Sequence, residues 1–157
     1  MSNYLKEKVY LFGAGYMAIE YAKVLDALKI EYEVIGRGKE SAYRFEQEVG
    51  RKPYIGEITN WVKKIISSNS AKVIVAVGVE QLAPVTIELM EKGFKSILVE
   101  KPAGLNFQEI ENVSSVDKNS NAELYIAYNR RFYASVLKAL EIIEEDGGVT
   151  SFNFEFT

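Results

Sequence analysis

The sequence predicts a doubly wound, parallel α/β sheet. Three observations carry that expectation. Short β-branched or aromatic runs alternate with longer stretches of helical period through six rounds. Of the short runs, Val9–Phe12 is apolar throughout rather than alternating, as a strand covered on both faces is. The first of them ends on glycines just where the first helical stripe begins.

Val9–Phe12 is the first such run and stops at Gly13. Ala18, Tyr21, Ala22 and Leu25 then recur at i, i+3, i+4 and i+7, the stripe of a helix lying on a sheet. Tyr32–Ile35 reads as the second strand and Ser41–Val49 as the second helix, with Ser41 as its N-cap. A short third strand is expected within Lys52–Gly56, then a helix burying Trp61, Val62, Ile65 and Ile66. Lys72–Val77 is the fourth strand. Leu82–Lys92 is the next helix, with Pro84 in its first turn, where a missing N–H costs nothing, and Gly93 as its terminator. Ser96–Val99, a helix over Asn106–Lys118 and a strand over Glu123–Tyr128 complete the sheet. Tyr133–Glu145 is a last helix, with Val136, Ala139, Leu140 and Ile143 on one face and Gly147–Gly148 closing it. Val149–Phe156 instead alternates Phe152, Phe154 and Phe156 with polar residues, the period of a half-exposed antiparallel strand. That strand belongs to no parallel sheet. It is expected to open a second, truncated α+β domain, so that residues 1–129 form the first domain and 130–157 an incomplete second one.

Composition narrows the chemistry. With 157 residues, 48% hydrophobic and 26% charged, the chain can build one core and is neither disordered nor a membrane protein. Its N-terminus is charged and lacks an apolar signal core, so a cytoplasmic location is expected. No cysteine and no histidine occur, which removes thiolate nucleophiles, disulfides, the commonest general base and the usual metal ligands; no metal site is expected. A net charge of −3 without a basic cluster argues against nucleic acid as a partner.

Gly13-Ala14-Gly15-Tyr16-Met17-Ala18 occupies the first strand-to-helix turn. This is G-x-G-x-x-A, a form of the dinucleotide fingerprint of the Rossmann fold. The first glycine makes the turn, the second lets backbone approach a pyrophosphate, and Ala18 permits close helix–strand packing. The helix N-terminus then turns its free N–H groups toward the phosphates. A lone motif of this kind is weak; its place in the first β–α turn gives it weight.

An acidic residue roughly 20 positions past the glycines would serve the adenosine ribose of NAD. Here the second strand ends Ile35-Gly36-Arg37-Gly38-Lys39-Glu40-Ser41. Arg37 and Lys39 offer cationic donors, and Ser41 a hydroxyl, to the 2′-phosphate of NADP, so NADP is expected over NAD. Two other readings stay open. Glu33 lies near the right spacing for the ribose if the strand is shorter, or Arg37 and Lys39 are simply a solvated loop.

After the fifth strand comes Glu100-Lys101-Pro102, and after the sixth Tyr128-Asn129-Arg130-Arg131-Phe132. With the glycine turn, these motifs fall in the order and on the strand ends of the glucose–fructose oxidoreductase/inositol dehydrogenase (Gfo/Idh/MocA) family, which the sequence resembles over nearly its whole length. The resemblance implies a two-domain NAD(P)-dependent oxidoreductase. Such an enzyme moves a hydride between nicotinamide and a hydroxyl-bearing carbon of a sugar-like substrate. It would form homo-oligomers through its second domain. It also implies that Lys101 reaches substrate and nicotinamide, as a buried lysine would. Gly13, Ala14, Gly15, Tyr16, Met17, Arg37, Lys39, Ser41, Gly78, Glu100 and Asn129 would hold the cofactor. The competing readings are a surface ion pair for Glu100 and Lys101, and a helix cap with interdomain ion pairs for Asn129-Arg130-Arg131.

Two departures stand out. The family commonly has a histidine early in the helix after the fourth strand, where Leu82 and Ala83 stand here. Its Asp-x-x-x-His pair would lie beyond Thr157. A non-catalytic dinucleotide-binding sensor or scaffold is therefore the alternative function. A methyltransferase would want an acid closing the second strand, against which Gly36-Arg37 argues.

Overall fold

The computed structural model describes residues 8–62, 71–153 and 155. The chain divides into two compact units, Met1–Ala127 and Tyr128–Thr157. The first is built on six strands: β1 (Val9–Phe12), β2 (Tyr32–Gly36), β3 (Tyr54–Ile55), β4 (Lys72–Val75), β5 (Ser96–Glu100) and β6 (Glu123–Ala127). All pair in parallel, in the order β3-β2-β1-β4-β5-β6. This is the Rossmann-like, doubly wound architecture expected from the alternation of strand and helix, and its strand order reverses direction between β1 and β4.

Among the described residues five helices cover the sheet: α1 (Tyr16–Ala27), α2 (Lys39–Val49), α3 (Ile58–Val62), α4 (Val79–Glu91) and α5 (Phe107–Ser120). The pleat of the strands splits the core in two. Val9 and Leu11 of β1 and Val34 of β2 join Ala18, Ile19, Ala22 and Leu25 of α1 and Phe45 of α2. Phe12 of β1 and Ile35 of β2 join Val62, Leu82, Leu89 and Val113 from α3, α4 and α5. Trp61 stands edge-on to both Tyr10 and Phe12. Ile65 and Ile66, expected in the third helix, lie outside the described residues.

The helix boundaries differ from expectation in a patterned way. α2 begins at Lys39 with Gly38 as N-cap, not at Ser41. Ser41 sits in the first turn, where its hydroxyl donates to the Gly38 carbonyl at 3.0 Å. α4 begins at Val79 after Gly78, three residues earlier than expected, which moves Pro84 out of the first turn into the helix interior. The carbonyl that Pro84 cannot serve is that of Glu80; the Gln81 side-chain amide reaches it at 3.5 Å. β4 stops at Val75, two residues short of expectation, and β3 is only Tyr54–Ile55. By contrast Gly93 ends α4 as expected. With φ +86°, it donates to the Met90 carbonyl while Phe94 donates to that of Leu89, the paired bonds of a Schellman end.

The second unit holds a 3₁₀ turn (Asn129–Phe132) and helix α6 (Ala134–Glu145), with no buried residue in either. Gly147 and Gly148 close α6 through bonds to the Glu144 and Ile143 carbonyls. The expected strand over Val149–Phe156 does not form among its described residues, 149–153 and 155. A strand exists only through a hydrogen-bonding neighbour, and none is present for it among the described residues. Among the described residues no helix is long and apolar enough to cross a membrane.

Candidate functional site

All six strands point their carboxyl ends to one edge of the sheet, and the reversal of strand order at β1 and β4 leaves a crevice there. A cleft of about 510 Å³ occupies it, lined by Gly13, Ala14, Gly15, Tyr16, Met17, Arg37, Gly38, Ser41, Glu57, Ala76, Val77, Gly78 and Gln81. That volume falls in the usual range for small-ligand sites.

The turn out of β1 is fixed by backbone contacts. Gly13 N–H donates to the Ile35 carbonyl at 2.7 Å, and Ala76 N–H donates to that of Phe12 at 2.7 Å. Gly13 has φ +118°, and a Cβ there would lie 2.1 Å from the Ala76 carbonyl oxygen. Only glycine fits between the ends of β1 and β4. Gly15 is different: a Cβ there would meet nothing within 4 Å, so its face opens onto the cleft.

Gly15 is also the N-cap of α1 and gives no side-chain cap. The first helical bond runs from Ile19 N–H to the Gly15 carbonyl, so the helix ladder offers no acceptor to the N–H groups of Tyr16, Met17 and Ala18. No acidic side chain lies in that turn. Gly38 and Gly78 likewise cap α2 and α4 without a side-chain bond, and all three glycines line the one cleft. The first turns of α2 and α4 carry Glu40 and Glu80, and the Glu80 carboxylate lies beside Gly78. Of the three it is therefore the α1 N-terminus that presents its N–H donors and positive dipole end with no acid in the first turn, a setting for the phosphates of a dinucleotide. α5, whose N-cap does not line the cleft, is capped by its own sequence. Asn106 accepts from Glu109 N–H at 3.0 Å, and the Glu109 carboxylate accepts from Leu105 N–H at 2.7 Å.

At the end of β2, Arg37 and Ser41 line the cleft but Lys39 does not; it is an exposed first residue of α2. Gly36 has a tight neighbour, since a Cβ there would come 2.9 Å from that of Ala14. Glu33 is the second residue of β2, toward the strand's opposite end, and pairs with Lys8 at 2.6 Å. That bond raises the Lys8 pKa above its ordinary value. Glu33 does not line the cleft.

At the end of β5 the Glu100 carboxylate is buried and accepts a hydrogen bond from the Tyr21 hydroxyl of α1 at 2.6 Å. The next peptide, Lys101–Pro102, is cis, and Ala103 N–H donates to the Glu100 carbonyl at 3.0 Å to close the turn. Lys101 is exposed rather than buried, and neither it nor Glu100 lines the cleft. Asn129 opens the 3₁₀ turn of the second unit. Leu82 and Ala83, where the family resemblance places a histidine, are both buried in the core.

Glu57 and Gln81 were not picked out from the sequence, yet both line the cleft. Gln81 lies three residues past Gly78, and recognising Gly78 as the α4 cap would have found it. Tyr21 was read only as part of the α1 stripe; nothing local reveals its bond to Glu100, 79 residues away.

Fold and cleft together define a Rossmann-like α/β unit with a glycine-lined crevice at its topological switch point. No family model matches the sequence, and no curated protein matches it. Solved structures do share the fold. A WlbA dehydrogenase from Chromobacterium violaceum, in complex with NADH and UDP-GlcNAcA, superposes with a TM-score of 0.75 at 16% identity over 92% of this chain and 41% of that one. A myo-inositol 2-dehydrogenase from Lactobacillus plantarum gives 0.73 at 18% identity, over 89% and 41%. KijD10, a 3-ketoreductase from Actinomadura kijaniata in complex with NADP, gives 0.68 at 17% identity, over 88% and 44%. The chain thus spans about two fifths of the length of these structures.

Proposed function

We propose that the chain is the dinucleotide-binding portion of an NAD(P)-dependent oxidoreductase of the Gfo/Idh/MocA type, acting on a hydroxyl-bearing carbon of a sugar-like substrate and preferring NADP. One observation carries the reading. The cleft at the switch point sets the N-terminus of α1, free of a side-chain cap and of acids in its first turn, beside a turn that only Gly13 can make. The residues fit the cofactor: the N–H groups of Tyr16, Met17 and Ala18 would hold its pyrophosphate beside the open side of Gly15, and Arg37 with Ser41 would receive its adenosine end. The dehydrogenases and the ketoreductase that share the fold support the same reading.

Bound there, a nicotinamide supplies hydride acceptance or donation. The chain's own contribution is to hold and orient it. Lys101 would serve the substrate oxygen, donating a hydrogen bond to charge that develops as the carbon–hydrogen bond breaks. Its exposure leaves it accessible to a substrate held by further protein. Glu100, fixed by Tyr21, anchors the turn that presents it. In the whole enzyme Lys101→Ala should lower kcat by on the order of 10² to 10⁴ while cofactor affinity changes only a few-fold.

The direct test is calorimetric titration of this chain with NADPH and NADH at one fixed salt concentration. Saturable binding of both, tighter for NADPH, is expected, and Arg37→Asp should reverse the order. Absence of binding by either dinucleotide would overturn the proposal.

A further inference from the structure

The rim of the cleft at the end of β2 carries a carboxylate as well as a cation. Gly36, the last residue of β2, stands in register with Ile55, the last of β3, and Gly56 N–H donates to the Gly36 carbonyl at 3.0 Å. Arg37 is thus one residue past the end of one strand and Glu57 two residues past the end of its neighbour. Adjacent strands run about 4.8 Å apart, so both side chains rise from neighbouring loops, and both line the cleft. Neither is ion-paired with any described residue. Glu57 is exposed, and no side-chain hydrogen bond holds it among the described residues. Its backbone carbonyl accepts from Trp61 N–H at the start of α3, which fixes the loop it leaves from.

We propose that Glu57 is a second specificity determinant of this site, doing from the end of β3 what an acid at the end of β2 does in NAD-binding folds, and so limiting the preference that Arg37 gives to NADP. The inference rests on the dinucleotide reading above. A carboxylate at this rim accepts hydrogen bonds from the adenosine ribose hydroxyls of NAD. It repels the nearly doubly charged 2′-phosphate of NADP. Arg37 acts in the opposite sense on the phosphate. The two charges stand on separate loops and do not neutralise one another by pairing, so each remains available to its own ligand group. The outcome is a site that takes both dinucleotides with a moderate bias, the size of that bias being set by Glu57.

The experiment is titration of the parent chain, Glu57→Gln and Glu57→Asp with NADPH and with NADH, at low and at near-physiological salt. Glu57→Gln should raise the NADPH-to-NADH affinity ratio by roughly fivefold or more, through tighter NADPH and unchanged or weaker NADH binding. The gain should shrink as salt screens the removed repulsion. Glu57→Asp, which keeps the charge, should stay within about twofold of the parent ratio. The mutant's unfolding midpoint checks that the loop is intact, and the Asp variant keeps the test open if Gln perturbs α3, because a ratio that moves equally in both variants overturns the charge argument. A parent that binds both dinucleotides and a Gln variant with the parent ratio would overturn the role of Glu57 alone. A parent that binds neither would overturn the dinucleotide reading beneath it.

Discussion

A methyl group at Gly13 and a methyl group at Gly15 would do opposite things. The first would sit 2.1 Å from a backbone oxygen of β4 at a φ of +118°, whereas the second would meet nothing within 4 Å in the protein. Gly13→Ala must therefore push β1 and β4 apart and should cost about 3 kcal/mol or more, combining strain with overpacking. Gly15→Ala should leave stability within about 1 kcal/mol, yet it fills the space a pyrophosphate would approach through. Urea unfolding beside dinucleotide titration separates the two. The pairing fails if Gly15→Ala binds like the parent, or if Gly13→Ala unfolds at the parent's midpoint. Both glycines were legible in the sequence because the fingerprint is local. Arg37 was legible for the same reason, as the residue that follows the strand. Lys39 was not separable from it by sequence, since only the start of α2 turns it away from the cleft lining. Glu57 was illegible. Nothing in Gly56-Glu57-Ile58 marks a site, and its place on the cleft comes from β3 lying beside β2.

The elements show where local signals work. The helix expected over Asn106–Lys118 starts within one residue of α5, whose N-cap Asn106 accepts from the backbone of Glu109 three residues on. The starts of α2 and α4 were misplaced by two and three residues because their caps are glycines, which read as loop. Those caps lie on the cleft, so the sequence rules fail at the helix ends that border it. The C-terminal ends follow ordinary stability rules instead. α1 and α4 close with the same pair of bonds, but α1 places Lys29, at φ +56°, where α4 places Gly93. An L-residue in that conformation costs roughly 1–2 kcal/mol, partly offset by glycine's greater loss of entropy on folding. Lys29→Gly should accordingly stabilise the chain by about 0.5–1 kcal/mol, and Gly93→Ala should destabilise it by about 1 kcal/mol. Matching chemical denaturation curves, with unchanged slopes, check both signs. A loss of stability in Lys29→Gly would mean that the lysine side chain supplies contacts outweighing its backbone strain.

At the scale of the whole molecule, the cleft is where the sheet's two halves meet. Its lining comes from the β1–α1 turn, the β2–α2 loop, the start of α3 and the β4–α4 loop. A ligand seated there holds together the two halves of the sheet, in which successive strands are added outward in opposite directions from β1 and β4. It binds the folded sheet and not the unfolded chain, since no single segment carries the site, so binding free energy adds directly to folding free energy. At a dinucleotide concentration about 100 times Kd that addition is about 2.7 kcal/mol. For a chain of this length it should raise the thermal midpoint by roughly 5–10 °C. The shift should be seen with NADPH and with NADH when each is set to the same multiple of its own Kd. In Arg37→Asp the NADPH shift at the parent's concentration should fall below the NADH shift, because the substitution removes a cation at the adenosine end without touching the glycine turn. A midpoint unmoved by either dinucleotide at that excess would make the cleft a packing gap between helix ends. The free N–H groups at the start of α1 would then be satisfied by water.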